Sequence, residues 1–169
     1  LRLEAENLPP SAPGQFAMLA MRTGDPLLPR PISILDAGPG RQDFLFKVFG
    51  RGTAQLSGLR PGDEISLLTP LGKTFSQEAS PHPFLMGGGV GIPPLHWLSR
   101  ELSDQAITHR VLFGFGTASE IPEALLDALD QTPELCTLDG SRGFHGNPVD
   151  YLRGEQGHAH MRVQACGPT

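Results

Sequence analysis

The chain has 169 residues and 38% hydrophobic content, enough for one ordinary domain or two small ones. A net charge of −5 with no basic run argues against nucleic acid as a partner, and no apolar run approaches the roughly 20 residues that span a bilayer. The 21 glycines and 17 prolines favour turns and short strands over long helices, and the two cysteines, Cys136 and Cys166, form no C-x-x-C pair and point to neither a disulfide framework nor a complete metal site. With no signal-peptide pattern at its start, the chain is expected in the reducing cytoplasm.

In chain order the first half reads as β. A strand over Arg2 to Glu6 is followed by apolar-rich runs at Gln15 to Met21, Ile32 to Leu35, Phe44 to Val48 and Glu64 to Leu68. Turn chemistry separates them: Pro13-Gly14, Gly24-Asp25-Pro26, Gly38-Pro39-Gly40 and Arg60-Pro61-Gly62-Asp63. Such a pattern predicts a small antiparallel barrel. One or two helical turns are expected over Thr53 to Leu59, with Thr53 as the N-cap.

The rhythm then changes. Phe84-Leu85-Met86 reads as a strand, Pro93 to Leu102 as a helix, Arg110 to Phe115 as a strand and Ile121 to Leu129 as a helix. A strand over Leu135 to Leu138, a helix over Pro148 to Arg153 and a strand over Arg162 to Ala165 complete the alternation. Alternating strands and helices predict a parallel sheet with crossovers. The expected division is 1–77 for a β-barrel domain and 78–169 for an α/β domain. The chain opens inside one strand and stops directly after another, so flanking segments are expected outside it.

The stretch with most chemical content is Gly87-Gly88-Gly89-Val90-Gly91-Ile92-Pro93-Pro94. A strand running into glycines and then into a proline-opened helix is the grammar of a pyrophosphate cradle. Glycine lets backbone approach an anion, and the first helical N–H groups lack internal partners. Arg30-Pro31-Ile32-Ser33 offers a forked cation and a hydroxyl at a strand entrance, although alone it reads more readily as a surface arginine before an edge-strand proline. Lys47 to Thr53 runs from a strand through a glycine turn, fit either for a second phosphate or simply for a capped turn. Asp139-Gly140-Ser141-Arg142-Gly143 follows a strand at the edge where doubly wound sheets bind ligands. There Asp139 suits ribose hydroxyls and Arg142 suits a 2′-phosphate. Cys166-Gly167-Pro168 closes the last strand at the same edge. The histidines, including His158 and His160, assemble into no metal motif.

Taken in order, these segments resemble the ferredoxin–NADP reductase superfamily. In its motifs, Arg30-Pro31-Ile32-Ser33 takes the flavin position, Gly89-Val90-Gly91-Ile92-Pro93-Pro94 the nicotinamide position, and Cys166 to Pro168 the closing position. Ile32 stands where an aromatic is usual, and Val90 where threonine is. Arg30 to Ile34, Gly50 to Thr53, Pro70 to Phe75, Gly87 to Ile92 and Asp139 to Gly143 are similar to the branch of electron-transfer subunits of dihydroorotate dehydrogenase.

The resemblance implies a Greek-key barrel that binds FAD and an α/β domain that binds NAD(H). For the flavin it implies Arg30 and Pro31 at the pyrophosphate with the Gly52 and Thr53 amides and the Thr53 hydroxyl, Ile32 and Ser33 at the ring with Ser33 near N5, and strand backbone from Leu45, Phe46 and Lys47. For the nucleotide it implies Gly88, Gly89, Val90, Gly91, Ile92 and Pro93 around the pyrophosphate, Asp139, Gly140 and Ser141 at the adenosine ribose, and Cys166, Gly167 and Pro168 beside the nicotinamide. Ser33 and Cys166 are the catalytic candidates. NADH is expected over NADPH, with Arg142 leaving that open. The branch also implies a [2Fe–2S] centre held by cysteines after Thr169 and a dehydrogenase catalytic subunit as partner. A reductase of the same superfamily serving an oxygenase or hydrogenase, and a non-catalytic nucleotide-binding module, are the alternatives.

Overall fold

The computed structural model describes residues 1–22, 28–76, 82–154 and 162–167. The expected turn at Gly24-Asp25-Pro26, the 77/78 boundary, His158, His160 and Pro168 lie outside them. The chain divides between Phe75 and Ser76 into two compact units.

In the first unit, β1 (Arg2–Glu4), β2 (Phe16–Met21), β3 (Arg30–Gly38), β4 (Arg41–Phe44) and β5 (Ile65–Leu71) pair antiparallel in the order β1-β4-β3-β2-β5. Strands β2, β3 and β4 are successive neighbours, and β1 lies against β4, which is the Greek-key arrangement. The alternation that predicts strands also sorts their faces. Ala17 and Leu19 of β2, Ile34 of β3 and Phe44 of β4 are buried, each large one contributing roughly 1.5–3 kcal/mol by its burial. Gln42 is buried among them with both ends of its amide used: it donates to the Ser11 hydroxyl at 2.6 Å and accepts from the Thr69 hydroxyl at 3.0 Å. Elsewhere in the barrel Arg2 holds Asp43 bidentately at 2.8 and 3.0 Å, and Arg41 bridges Asp36 and Asp43. Burial alone would push the Asp43 carboxyl up, but the Arg2 hydrogen bonds and the Arg41 charge hold it below its ordinary value.

Two expectations in this unit need correction. The strand over Phe44 to Val48 is β4, and it ends at Phe44. Its pairing with β3 ends at Ile34 opposite Phe44, after a register shift between Ile34 and Asp36, so no ladder continues along Leu45, Phe46 and Lys47. Helix α1 spans Gly50–Ser57, not Thr53 to Leu59, and its N-cap is Phe49. Thr53 lies inside the helix and its hydroxyl folds back, accepting from the Phe49 N–H at 2.7 Å and donating to the Phe49 carbonyl at 2.8 Å.

The second unit contains β6 (Pro83–Gly88), a 3-10 turn at Gly89–Gly91, α2 (Ile92–Asp104), β7 (Arg110–Phe115), a second 3-10 turn at Ala118–Glu120, α3 (Glu123–Leu126), β8 (Glu134–Thr137), β9 (Phe144–His145), α4 (Pro148–Gly154) and β10 (Arg162–Cys166). All sheet pairings are parallel, in the order β10-β6-β7-β8-β9. Phe84, Leu112 and Cys136 pack with Met86 and with Tyr151 and Leu152 of α4 on one face. The Gly87 Cα faces Ile92 and Leu95 of α2 and Phe113, so α2 covers the other face. A buried hydrogen bond between Ser99 Oγ and His109 Nε2, 2.7 Å long, fixes α2 to the start of β7.

The helix expected over Ile121 to Leu129 is only Glu123–Leu126. Ile121 precedes a proline and is extended, as the proline ring demands, and the chain beyond Leu126 breaks into turns. The two-residue β9 went unpredicted because so short a strand has no period. Among the described residues, no helix is long and apolar enough to cross a membrane.

Candidate functional site

In the first unit the structure brings Arg30 and Gly52 together. Arg30 opens β3, donates to the Leu28 carbonyl at 2.7 Å, and lays its guanidinium across the start of α1. A Cβ on Gly52 would sit within 2.9 Å of Arg30 Cζ and closer still to Nε. Only glycine leaves that approach free. Among the described residues no carboxylate pairs with Arg30, and its guanidinium lies against Gly52 in the first turn of α1. A cation over the first turn of a helix is an arrangement that suits an anion. Beneath it lies a cavity of about 10 Å³ lined by Leu19, Met21, Leu28 and Leu56. The Thr53 hydroxyl is committed to Phe49, and the unpaired amides of this turn are those of the residues before Thr53. Ile32 and Ser33 are half-buried and Pro31 is exposed on the same strand. Leu45 and Phe46 are half-buried and Lys47 is exposed on the segment that leaves β4.

Phe49 was not anticipated. It caps α1 next to the Arg30 site with its side chain 90% exposed. An aromatic so bare beside a cation is the kind of signal a sequence reading of the Gly50-Arg51-Gly52 turn alone could have used. A larger cleft of about 920 Å³ runs between β1 and residues 59–67 but contains none of the motif residues.

In the second unit the connection order reverses at β6: β7 lies on one side and β10 on the other. The crevice beyond that switch point is where open α/β sheets bind ligands. Gly88 ends β6 in extended conformation, Gly89 to Gly91 make the 3-10 turn, and α2 begins at Ile92 rather than at Pro93. Pro93 and Pro94 have no N–H, and the Ile92 N–H is spent on the Gly89 carbonyl. The anion donors at this end therefore have to be the amides of the 3-10 turn. Gly91 is seated against the end of β10: a Cβ there would overlap the Cys166 carbonyl and lie 2.5 Å from Gly167 Cα. The glycine turn and the closing motif, from opposite ends of this unit, thus make one site. Cys166 is half-buried, and burial pushes its thiol up. Cys136 is fully buried, its thiol raised to about 11 by burial and by the Asp150 charge, and serves the core.

At the carboxyl ends of β7 and β8 the side chains tie two loops. Asp139 accepts from the Ser141 hydroxyl at 2.6 Å and from the Ser141 N–H at 3.0 Å, which holds its exposed carboxyl below the usual range. The Ser141 oxygen accepts from the Ala118 N–H at 2.8 Å. The Asp139 N–H reaches the Gly116 carbonyl at 3.3 Å, and Gly116 donates its own N–H to Glu120 at 3.2 Å. Thr137 fixes Arg142 at both backbone ends. Gly116, Ala118 and Thr137 were missed by the motif reading, although the edge rule that selects Asp139 applies equally to the loop after β7.

An antiparallel Greek-key barrel followed by a parallel nucleotide-type sheet is the architecture of ferredoxin reductase-like flavoproteins. The ferredoxin reductase of carbazole 1,9a-dioxygenase superposes with a TM-score of 0.83 at 17% identity, over 97% of this chain and 54% of that one. The NADH-dependent reduced ferredoxin–NADP oxidoreductase superposes at 0.74 with 25% identity, over 94% of this chain and 58% of that one. No family model matches the sequence. Curated relatives do: the dihydroorotate dehydrogenase B (NAD(+)) electron transfer subunit of Geobacillus thermodenitrificans is 36% identical over 92% of this chain and 63% of its own length. That of Listeria monocytogenes is 35% identical over 99% of this chain and 68% of its own length. The chain belongs to this family of dihydroorotate dehydrogenase B electron-transfer subunits, and it spans about two thirds of the length of those relatives.

Proposed function

We propose that this chain is the FAD- and NAD(H)-binding part of an electron-transfer oxidoreductase in the cytoplasm, serving the catalytic subunit of dihydroorotate dehydrogenase in pyrimidine biosynthesis. The observation that carries the reading is the seating of Gly91 on Cys166 at the switch point of the second unit, in a chain whose relatives bear that name. A bound flavin supplies the redox step, exchanging a hydride with nicotinamide and releasing electrons singly. The residues position it. Arg30 holds the flavin pyrophosphate with the Gly52 amide. Ser33 offers its hydroxyl at flavin N5, with Ile32 at the ring and Pro31 toward the pyrophosphate. Leu45, Phe46 and Lys47 offer backbone to the ring. For the nucleotide, Gly88 to Pro93 cradle the pyrophosphate, Asp139, Gly140 and Ser141 take the adenosine ribose, and Cys166, Gly167 and Pro168 flank the nicotinamide. Cys166 acts as a neutral packing group, because its raised thiol stays protonated at neutral pH. A [2Fe–2S] centre belongs to the proposal through cysteines after Thr169; among the described residues no group of His, Cys, Asp or Glu is arranged to hold a metal ion.

The test is spectroscopic. The purified chain should take up FAD, turn yellow and bleach anaerobically with NADH. Ser33→Ala should keep FAD and slow bleaching on the order of tenfold, the usual reach of one well-placed hydrogen bond. A chain that binds no FAD would overturn the reading, and an unchanged bleaching rate in Ser33→Ala would remove Ser33 from N5.

A further inference from the structure

The loop leaving β8 carries Asp139 and Arg142, and Glu123 at the start of α3 meets the Arg142 guanidinium. Arg142 is the group there best shaped to hold a phosphate, since its planar fork matches phosphate oxygens in pairs. In the structure it is committed elsewhere. Its backbone is clamped by Thr137, which donates to its carbonyl at 2.9 Å and accepts from its N–H at 3.0 Å. Its guanidinium forms an ion pair with Glu123 at the first turn of α3. Asp139, by contrast, keeps an ionised carboxylate exposed at the tip, with the Ser141 hydroxyl as its donor.

We propose that Glu123 is a specificity-determining residue: by holding the Arg142 guanidinium it leaves Asp139 to define the adenosine subsite, which then accepts a ribose 2′-hydroxyl and rejects a 2′-phosphate. The proposal rests on the dinucleotide reading above. Two features make the device adjustable. The pair is solvent-exposed on both sides, 43% for Arg142 and 57% for Glu123, so it is weak and breaking it leaves the core untouched. Arg142 is also separated from Asp139 only by Gly140 and Ser141, in a loop whose course is fixed by the Ser141 bridge to Ala118. A released guanidinium therefore stays at the ribose end of the site. With Glu123 neutralising Arg142, a phosphate dianion entering there meets the ionised Asp139 without a free cation to offset it.

The experiment titrates the full chain with AMP and with adenosine 2′,5′-bisphosphate by calorimetry at low and moderate salt. The unsubstituted chain should prefer AMP. Glu123→Gln should shift the affinity ratio toward the 2′-phosphate by about two- to fivefold, the worth of an exposed ion pair. Glu123→Asp should restore most of the preference, and Glu123→Gln combined with Arg142→Gln should abolish the shift. The gain should shrink as salt rises, which a merely structural change would not produce. If AMP binds but Glu123→Gln leaves the ratio unmoved, the assignment of Glu123 is overturned and the dinucleotide reading survives. If the unsubstituted chain binds neither nucleotide, that reading fails and this inference falls with it.

Discussion

In the first unit the candidate anion site centres on a side chain, Arg30, laid across the backbone of Gly52; in the second the candidate site lies where two stretches of main chain touch, Gly91 against Cys166. The difference lies in what can yield. A guanidinium at the end of a flexible stem can swing aside. A carbonyl at the end of a parallel strand, held in register by β6, cannot. One site is therefore tuned by charge and is separable from folding, and the other is built from packing and is not.

Substitution at the two glycines tests this directly. Gly91→Ala puts a methyl group into the Cys166 carbonyl, and either β10 or the 3-10 turn must move. We expect a loss of about 1–3 kcal/mol, the ordinary cost of overpacking, seen as a lower urea midpoint, together with loss of nucleotide binding. An unchanged midpoint would mean that the end of β10 is softer than its pairing suggests. Gly52→Ala meets only the far part of Arg30, so its unfolding midpoint should move much less while FAD affinity drops. Arg30→Gln should weaken FAD by about 1.5–3 kcal/mol, as for other hydrogen bonds to charged groups, again with little change in the midpoint. A large stability loss in Arg30→Gln would erase the contrast between the units.

The smallest expected effect is acid sensitivity in the first unit. The folded Asp43 carboxyl lies below its unfolded value of about 4. Its contribution is therefore present above that unfolded value and is lost as pH falls through the lowered folded one. Urea midpoints measured from pH 6 down to pH 2 should fall in that window, and Asp43→Asn should flatten the fall. Arg2 and Arg41 stay charged throughout, so a midpoint equally steep in Asp43→Asn would assign the acid loss to another carboxylate.

Much of this was legible in the residues because the period changes at the middle of the chain. Arg110 to Phe115 is the strand its apolar run predicted, and the glycines at 87–91 end a strand and begin a helix as their context required. What escaped was set by partners rather than by local pattern. Phe44 to Val48 is apolar enough for a strand, but the β3–β4 ladder stops at the Ile34–Phe44 pair, before Leu45. Thr53 has the chemistry of an N-cap, yet helix formation begins earlier at Gly50 and draws its hydroxyl back to Phe49. At the ribose end, the sequence left Arg142 open between two roles. Glu123 pairs with Arg142 from 19 positions away, an ion pair that no spacing rule marks.

The contact between Gly91 and Cys166 also bears on the order of events as the chain is made. The glycine turn and α2 emerge from the ribosome well before β10, so they exist for a time without the carbonyl that backs them. Closing so long a loop carries its entropic cost before the contact repays it. Competence to hold a nucleotide should therefore arrive as a late, all-at-once event when the last strand zips beside the first, and a nascent chain stopped short of Arg162 should carry a formed turn and an empty grip.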